Sequence, residues 1–229
     1  ASLPDYLDFI GPVGTTFARQ AQIRYTAPVS NGDWSLSLEN PETTLTPFGG
    51  GPSIDADDGR FPDVVLRRNW TGDRGRLSAA ALVRELRIGR SGLEDSALGA
   101  AISIAGRHRM GEDDDLRWQV NAGNGLGRYM GLNAFNVGAL DANGNIELTP
   151  QFGVFAAYRH RWSSQLHSSF GLSFDEADND TAISGLDVPR SYQSAHANIV
   201  WAPVQRMSIG AEYIWGRRED ESGADGKED

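Results

Sequence analysis

The chain has 229 residues, no cysteine and a formal net charge of −10. That length suits one large domain or two small ones; the missing thiols exclude disulfide frameworks, thiolate metal sites and cysteine nucleophiles, and the acidic total argues against a nucleic-acid partner. No apolar run approaches the roughly 18 to 20 residues of a spanning helix, and mean hydropathy is −0.42, which excludes a membrane protein built of helices but not one built of strands.

Charge is unevenly placed. Of the 21 basic residues only Lys227 is lysine, the rest being arginine. Acids gather at Asp55 to Asp58, Glu112 to Asp115, Asp175 to Asp180 and from Glu219 to the end, with arginines in the segments between. This predicts acidic loops around a basic interior.

Taken in chain order, the segments between these runs alternate with period 2, the mark of strands with one apolar face. In FARQAQIRYT, Phe17, Ala21, Ile23 and Tyr25 oppose Gln20, Gln22 and Arg24. In DWSLSLE, Trp34, Leu36 and Leu38 oppose Ser35, Ser37 and Glu39; in DVVLRRNW, Val64, Leu66 and Trp70 oppose Asp63, Arg67 and Asn69, with Arg68 out of place on the apolar face. RLSAAALVRELRI has no clear phase. ALGAAISIAGRHR sets Leu98, Ala100, Ile102 and Ile104 against Gly99, Ala101 and Ser103, and DLRWQVNAG sets Leu116, Trp118 and Val120 against Arg117, Gln119 and Asn121. FGVFAAYRHRW sets Phe152, Val154, Tyr158 and Trp162 against Gly153, Ala157, Arg159 and Arg161. SQLHSSFGLSF, SYQSAHANIVW and RMSIGAEYIWG repeat the pattern, with His167, Ser169, Ser173, Ser194, His196, Asn198 and Glu212 on the polar side.

These are about ten strands, each near the 9–11 residues that cross a bilayer obliquely. Their connections alternate in length: PVSNGD, TGDRG, GEDD, SS and APVQ are short, GRSGLEDS is medium, and Pro41 to Arg60, Gly123 to Pro150, Asp175 to Pro189 and the tail are long. Asn136 to Leu140 and Asn145 to Leu148 flank DANG, a turn sequence, and predict a small hairpin outside the membrane or folded into a barrel mouth. The expected fold is therefore all-β: an antiparallel up-and-down transmembrane β-barrel with short periplasmic turns and long extracellular loops. Aromatics cluster near strand ends on the apolar faces, including Trp34, Trp70, Trp118, Tyr158, Trp162, Trp201 and Trp215, as interfacial girdles do; ordinary core packing is the alternative. With no initiator Met, no signal-peptide pattern and a loop-like ending, residues 1–229 are expected to be one barrel domain, incomplete at both ends.

In FIGPVGTTFARQAQIRY, ENPET, DDLRWQVNAGNGLGRYMGLN, SAHANIVWAPV and AEYIWGRRE, the chain resembles the DcaP-like family of outer-membrane porins. The resemblance runs from about Leu7 to the tail, and GNGLGRYMG and EYIWGRRE are its most specific blocks. It implies a sixteen-stranded barrel in the outer membrane of a Gram-negative bacterium, assembled as a homotrimer among lipid and lipopolysaccharide. Passive transport of small anionic solutes such as dicarboxylates, no cofactor and no enzymatic role are implied with it. Family chains carry several strands before this point and one more after it, which would make the ten segments the sixth to the fifteenth. Alone, such a piece would leave two sheet edges that lipid does not tolerate, so it is not expected to insert as a native channel.

The functional candidates are the polar-face arginines Arg24, Arg67, Arg117, Arg159 and Arg161. Arginine stays charged and offers a planar fork to carboxylates, and a ring of such charges selects anions. Each arginine taken singly is as well explained by pairing with an acid from a folded-in loop. A non-transport barrel (adhesive or structural) and a soluble ligand-binding barrel remain alternatives. The soluble barrel would turn its apolar faces inward, where arginines would be costly.

Other motifs carry less. GNGLG lacks the spacing and the following helix of a dinucleotide loop and reads as a glycine-rich strand exit. EDDD and DEADND match no calcium loop, so no metal site is expected, although bridging of surface acids to lipopolysaccharide stays open. His160, His167 and His196 with Ser169, Ser173 and Ser194 allow a Ser-His-acid site only weakly, as no G-x-S-x-G elbow is present.

Overall fold

The computed structural model describes residues 3, 5–8, 11–56, 58–90 and 92–228. Asp57 of the first acidic run, Ser91 of the medium connection, and Phe9 and Ile10 of the first family block lie outside them. The strands are β1 (Gln22–Val29), β2 (Gly32–Glu39), β3 (Thr43–Thr46), β4 (Ile54–Ala56), β5 (Asp63–Gly72), β6 (Gly75–Arg90), β7 (Leu93–Met110), β8 (Asp114–Gly123), β9 (Gly138–Leu140), β10 (Ile146–Leu148), β11 (Gln151–Arg161), β12 (Leu166–Ala177), β13 (Pro189–Val204), β14 (Met207–Asp220) and β15 (Asp225–Glu228). One α-helical turn, α1 (Thr181–Ser184), is capped by the Asp180 carboxylate, which accepts the Ala182 N–H.

Eleven of these strands form a single antiparallel meander in the order β1-β2-β5-β6-β7-β8-β11-β12-β13-β14-β15, with β1 and β15 at its open edges. The ten segments expected from alternation are its first ten members, and β15 is an addition. The tail, expected as a loop, instead turns back at Glu221 to Ala224 and pairs β15 with β14, Arg217 opposite Lys227. Three further boundaries move. β1 begins at Gln22 rather than Phe17, because residues 17–21 belong to an inward segment described below. The medium connection shrinks to two residues, since β6 and β7 stay in register as far as Arg90 opposite Leu93. The third acidic run starts inside β12, where Asp175 pairs with Gly153, so its loop begins at Asp178.

The two faces of the sheet are inverted relative to a water-soluble protein. Leu98 and Leu172 are each 70% exposed on the convex face, alongside Ile23, Leu36, Leu66, Ile102 and Ile199. On the concave face Arg117 is 3% exposed and Asn121 is fully buried, alongside Gln119, Ser169, His196 and Asn198. Apolar outside and polar inside is the arrangement of a barrel wall in lipid, and it is opposite to the soluble-barrel alternative. An arginine placed on the convex face at mid-sheet, as in Ile102→Arg, is therefore expected to cost about 2–4 kcal/mol. The neighbouring inward Ser103→Arg is expected to cost far less. Denaturant unfolding of the full-length protein in lipid vesicles measures both, and equal costs would place lipid elsewhere.

The convex face also accounts for Arg68. It sits near the tight-turn rim between Trp34 and Trp70, its guanidinium 5.6 and 5.1 Å from their ring centroids, and donates to the carbonyls of Asp33 and Asn69 and to Asn31 Oδ1. An arginine whose charge is turned onto backbone carbonyls and flanked by girdle indoles tolerates the interface. Trp118, Tyr158, Trp162 and Trp201 lie at the same rim of their strands, as a girdle requires.

The two longest connections fold together. β9 and β10 form the expected hairpin, β9 pairs in parallel with β3, and β4 completes a second, four-stranded sheet in the order β10-β9-β3-β4. Its Leu45, Ala56, Val137, Leu140 and Ile146 pack on Leu86 and Ile88 of β6. This explains the missing phase of RLSAAALVRELRI: near the bilayer β6 turns Leu77, Ala79, Ala81 and Val83 outward, but past Arg84 its apolar side chains face the loop sheet. The hairpin thus lies in the mouth, against the inner wall.

Candidate functional site

Two segments with no long regular structure cross the concave face. The first precedes β1 and comprises residues 3, 5–8 and 11–21. The second is 124–133, the GNGLGRYMG stretch, which forms two 3-10 turns, Gly127–Tyr129 and Gly131–Asn133. They are joined to each other: Thr16 bridges Met130, the Phe17 N–H donates to the Tyr129 carbonyl at 3.0 Å, and the Gly131 N–H donates to the Thr15 carbonyl at 2.7 Å. Local strand chemistry explains neither. Their backbone groups are satisfied by each other and by the polar wall, which is why an irregular chain is stable there.

The wall accommodates the first segment at glycines. Gly14 has φ +71°, and a Cβ there would lie 2.5 Å from the Phe174 carbonyl oxygen and 2.8 Å from the Val154 nitrogen. Its carbonyl accepts Asn121 Nδ2 at 2.8 Å. Gly171 on β12 makes room for Tyr6, whose Oη would stand 1.6 Å from a Cβ at that position.

Tyr6 stacks on His196, ring centroids 4.6 Å apart and planes at 17°. His196 in turn lies 3.1 Å from Ser194 Oγ through Nε2 and 3.0 Å from Glu212 Oε1 through Nδ1. This is a Ser-His-acid sequence in outline, and of the three histidines only His196 has it. Glu212 also accepts the N–H groups of Leu7 and Asp8, and Ser194 shares a 2.6 Å hydrogen bond with Ser173. The chain of contacts clamps the inward segment to β13 and β14, with Ser194 and His196 buried beneath it. Burial, with Glu212 adding to it, pushes the Tyr6 phenol above its ordinary value, so Tyr6 stays neutral. His160 faces outward and pairs with Asp114 at 2.9 Å, while His167 faces the lumen without a serine partner among the described residues.

A second buried network holds the other segment. Arg84 Nε lies 3.2 Å from Asp63 Oδ2, both side chains fully buried. Tyr129 donates to Asp63 at 3.0 Å or to Glu39 at 3.1 Å, and its ring lies 5.4 Å from the Arg84 guanidinium. Burial chiefly, and Asp63 next, raise the Tyr129 phenol, keeping it a donor.

The five predicted arginines fall into two groups. Arg24 and Arg67 share a cavity of about 210 Å³ with Glu39, Thr16, Gln20, Gln22 and Gln119. Neither has an ion-pair partner among the described residues, and Arg67 Nε is buried without a hydrogen-bond acceptor. Arg117 and Arg159 meet nearer the tight-turn rim. Arg117 contacts Asp115 Oδ1 at 2.6 Å and Asp5 Oδ1 at 3.0 Å, and Arg159 contacts Asp5 Oδ2 at 3.0 Å and Asp115 at 3.8 Å. Arg161 borders the same rim with Arg107 and Arg109.

The expected basic interior is therefore corrected to a mixed one, in which Glu39, Asp63, Asp115 and Asp175 are buried on the same face. Arg107 and Arg109 were legible, since the phase that turns Ser103 inward continues to both; Arg107 stands opposite Arg117 and pairs with Asp115 at 2.8 Å. Asp5 was not, as it lies in no alternating segment.

An open meander with an apolar convex face, an aromatic rim and a polar concave face crossed by inward segments defines a wall of an outer-membrane β-barrel. The family model described as DcaP outer membrane protein matches residues 1–229, and the chain belongs to that family. It is an outer-membrane protein. The crystal structure of the outer membrane channel DcaP of Acinetobacter baumannii superposes with a TM-score of 0.86 at 19% identity, covering 98% of this chain and 64% of that one. The chain thus spans less than two thirds of that channel's length, and the likeness bears on the fold. No curated protein matches.

Proposed function

We propose that this chain supplies part of the wall and the constriction of a passive channel for small anionic solutes, dicarboxylates among them. The observation that carries the proposal is the pair Arg24 and Arg67, two cationic forks facing one lumen cavity with no ion-pair partner among the described residues. Guanidinium groups without a direct ion pair, in a path bounded by low-dielectric walls, attract anions and repel cations, with Glu39 on the same cavity offsetting part of that charge. A dicarboxylate has two ends for two forks. The same reading includes assembly as a homotrimer and contact of the convex face with lipid and lipopolysaccharide, and it gives the protein no cofactor and no enzymatic step. The relative it resembles in fold is described as an outer membrane channel, which supports a channel over an adhesive barrel.

The test is the reversal potential of the full-length protein in a planar bilayer under a KCl gradient. Anion selectivity is expected, together with a several-fold fall in the anion-to-cation permeability ratio for Arg24→Ala/Arg67→Ala. It should weaken at 1 M salt, where the screening length is only about 3 Å. Arg117→Ala and Arg159→Ala should lower the ratio less, because both arginines are already paired. Cation selectivity, or no conductance from a folded barrel, overturns the proposal.

A further inference from the structure

The same wall contains a carboxylate already seated on two arginines, and that carboxylate belongs to the protein. Asp5 directs one oxygen to Arg117 and the other to Arg159, each at 3.0 Å. Those arginines stand on neighbouring strands, with Ala157 opposite Arg117 and Arg159 opposite Asp115. They are placed by sheet register rather than by Asp5. Asp115 is the built-in counter-ion: its side chain is 4% exposed, and it reaches Arg117 at 2.6 Å and Arg107 at 2.8 Å from the same sheet. Asp5 differs on both counts. It is carried by the inward segment, not by a strand, and its side chain is 42% exposed.

The charge balance makes Asp5 decisive. Arg107, Arg117 and Arg159 bring three positive charges, and Asp115 and Asp5 bring two negative ones. With Asp5 in place the cluster carries one net positive charge; without its charge, three arginines stand opposite one wall carboxylate and the net charge is two. The segment does not depend on that charge to stay where it is. The Asp5 carbonyl accepts Asn198 Nδ2 at 2.8 Å, the Leu3 carbonyl accepts from Arg117, and Tyr6, Leu7 and Asp8 are held by His196 and Glu212.

We infer that Arg117 and Arg159 form a carboxylate-recognition site whose resident occupant is Asp5, so that Asp5 sets how strongly this stretch of the lumen holds a passing anion. The inference rests on the channel proposal for its physiological meaning. A permeating carboxylate has the same two oxygens and competes for the same two forks, so the tethered group keeps the site from trapping it. Asp5 is then a specificity-determining residue.

The experiment is Asp5→Asn in the full-length protein, read in planar bilayers. Asparagine keeps the shape and the backbone contacts and removes the charge. The anion-to-cation permeability ratio is expected to rise several-fold. Succinate added to one side is expected to interrupt the chloride current at concentrations that leave the wild type unblocked. Asp5→Ala should act the same way, and the gain should shrink in an Arg159→Ala background. The shift toward anions on Asp5→Asn is expected whatever selectivity the wild type shows, so a cation-selective wild type would sink the channel proposal and leave this inference standing. An unchanged ratio in both Asp5 variants, or a gain undiminished by Arg159→Ala, overturns it.

Discussion

Asp63→Ala is expected to destabilise the protein by about 3–5 kcal/mol, the cost of leaving a buried charge without its partner. The variant strands the Arg84 guanidinium, fully buried and facing Asp63 at 3.2 Å. The carbonyls of Glu42 and Gly125 remain as acceptors for Arg84 but carry no compensating charge. The loss extends beyond the pair, because Asp63 also accepts from Tyr129, which holds the 124–133 segment against the wall. Denaturant unfolding of the full-length protein in lipid, monitored by tryptophan fluorescence, measures it. Asp63→Ala/Arg84→Met should recover most of the stability, since an apolar side chain at position 84 extends the row formed by Leu82 and Leu86, and replacing a buried ion pair by apolar groups is often close to neutral. A double variant as unstable as the single one would show that the pair is not what stabilises this region.

The second large effect concerns conductance. Gly171→Val is expected to raise single-channel conductance, because its Cβ falls where the Tyr6 hydroxyl lies and the inward segment must lift from the wall. Tyr6 is the ring stacked on His196, and the segment's hold on β13 and β14 runs through that contact and the N–H groups of Leu7 and Asp8 on Glu212. Tyr6→Ala removes the same anchor without a clash and should also raise conductance. Overpacking of this kind costs about 1–3 kcal/mol, which a barrel wall survives. If neither variant changes the current, the segment is outside the conducting path.

Much of the fold was legible from alternation because a strand's two faces are set by neighbouring residues. Leu116, Trp118 and Val120 against Arg117, Gln119 and Asn121 needs no knowledge of the partner strand, and β8 keeps that phase. Alternation loses its phase where a strand leaves the bilayer. In β6 the apolar side chains change faces, from Leu77, Ala79, Ala81 and Val83 outward to Leu86 and Ile88 inward against the loop sheet, so no single phase runs through the segment. The acidic tail carries no alternation either, because β15 is specified by pairing with β14 and not by its own polar composition. Arg68, out of phase in DVVLRRNW, became intelligible only with Trp34 brought beside it from the adjacent strand.

The sequence by itself determined the faces of every strand in the meander's first ten except β6, the tight turns at one rim, and that the five candidate arginines point inward. All of these follow from the period of 2 and from short-range turn chemistry. Tertiary structure alone decided what those arginines meet. Arg24 and Arg67 remain without an ion-pair partner among the described residues, while Arg117 and Arg159 receive a carboxylate from Asp5, more than a hundred residues away in the chain. The physical reason is that partner choice on the concave face depends on irregular segments crossing it. Their path is fixed by glycine clearance at Gly14 and Gly171 and by scattered polar contacts to the wall, none of which leaves a local period to read.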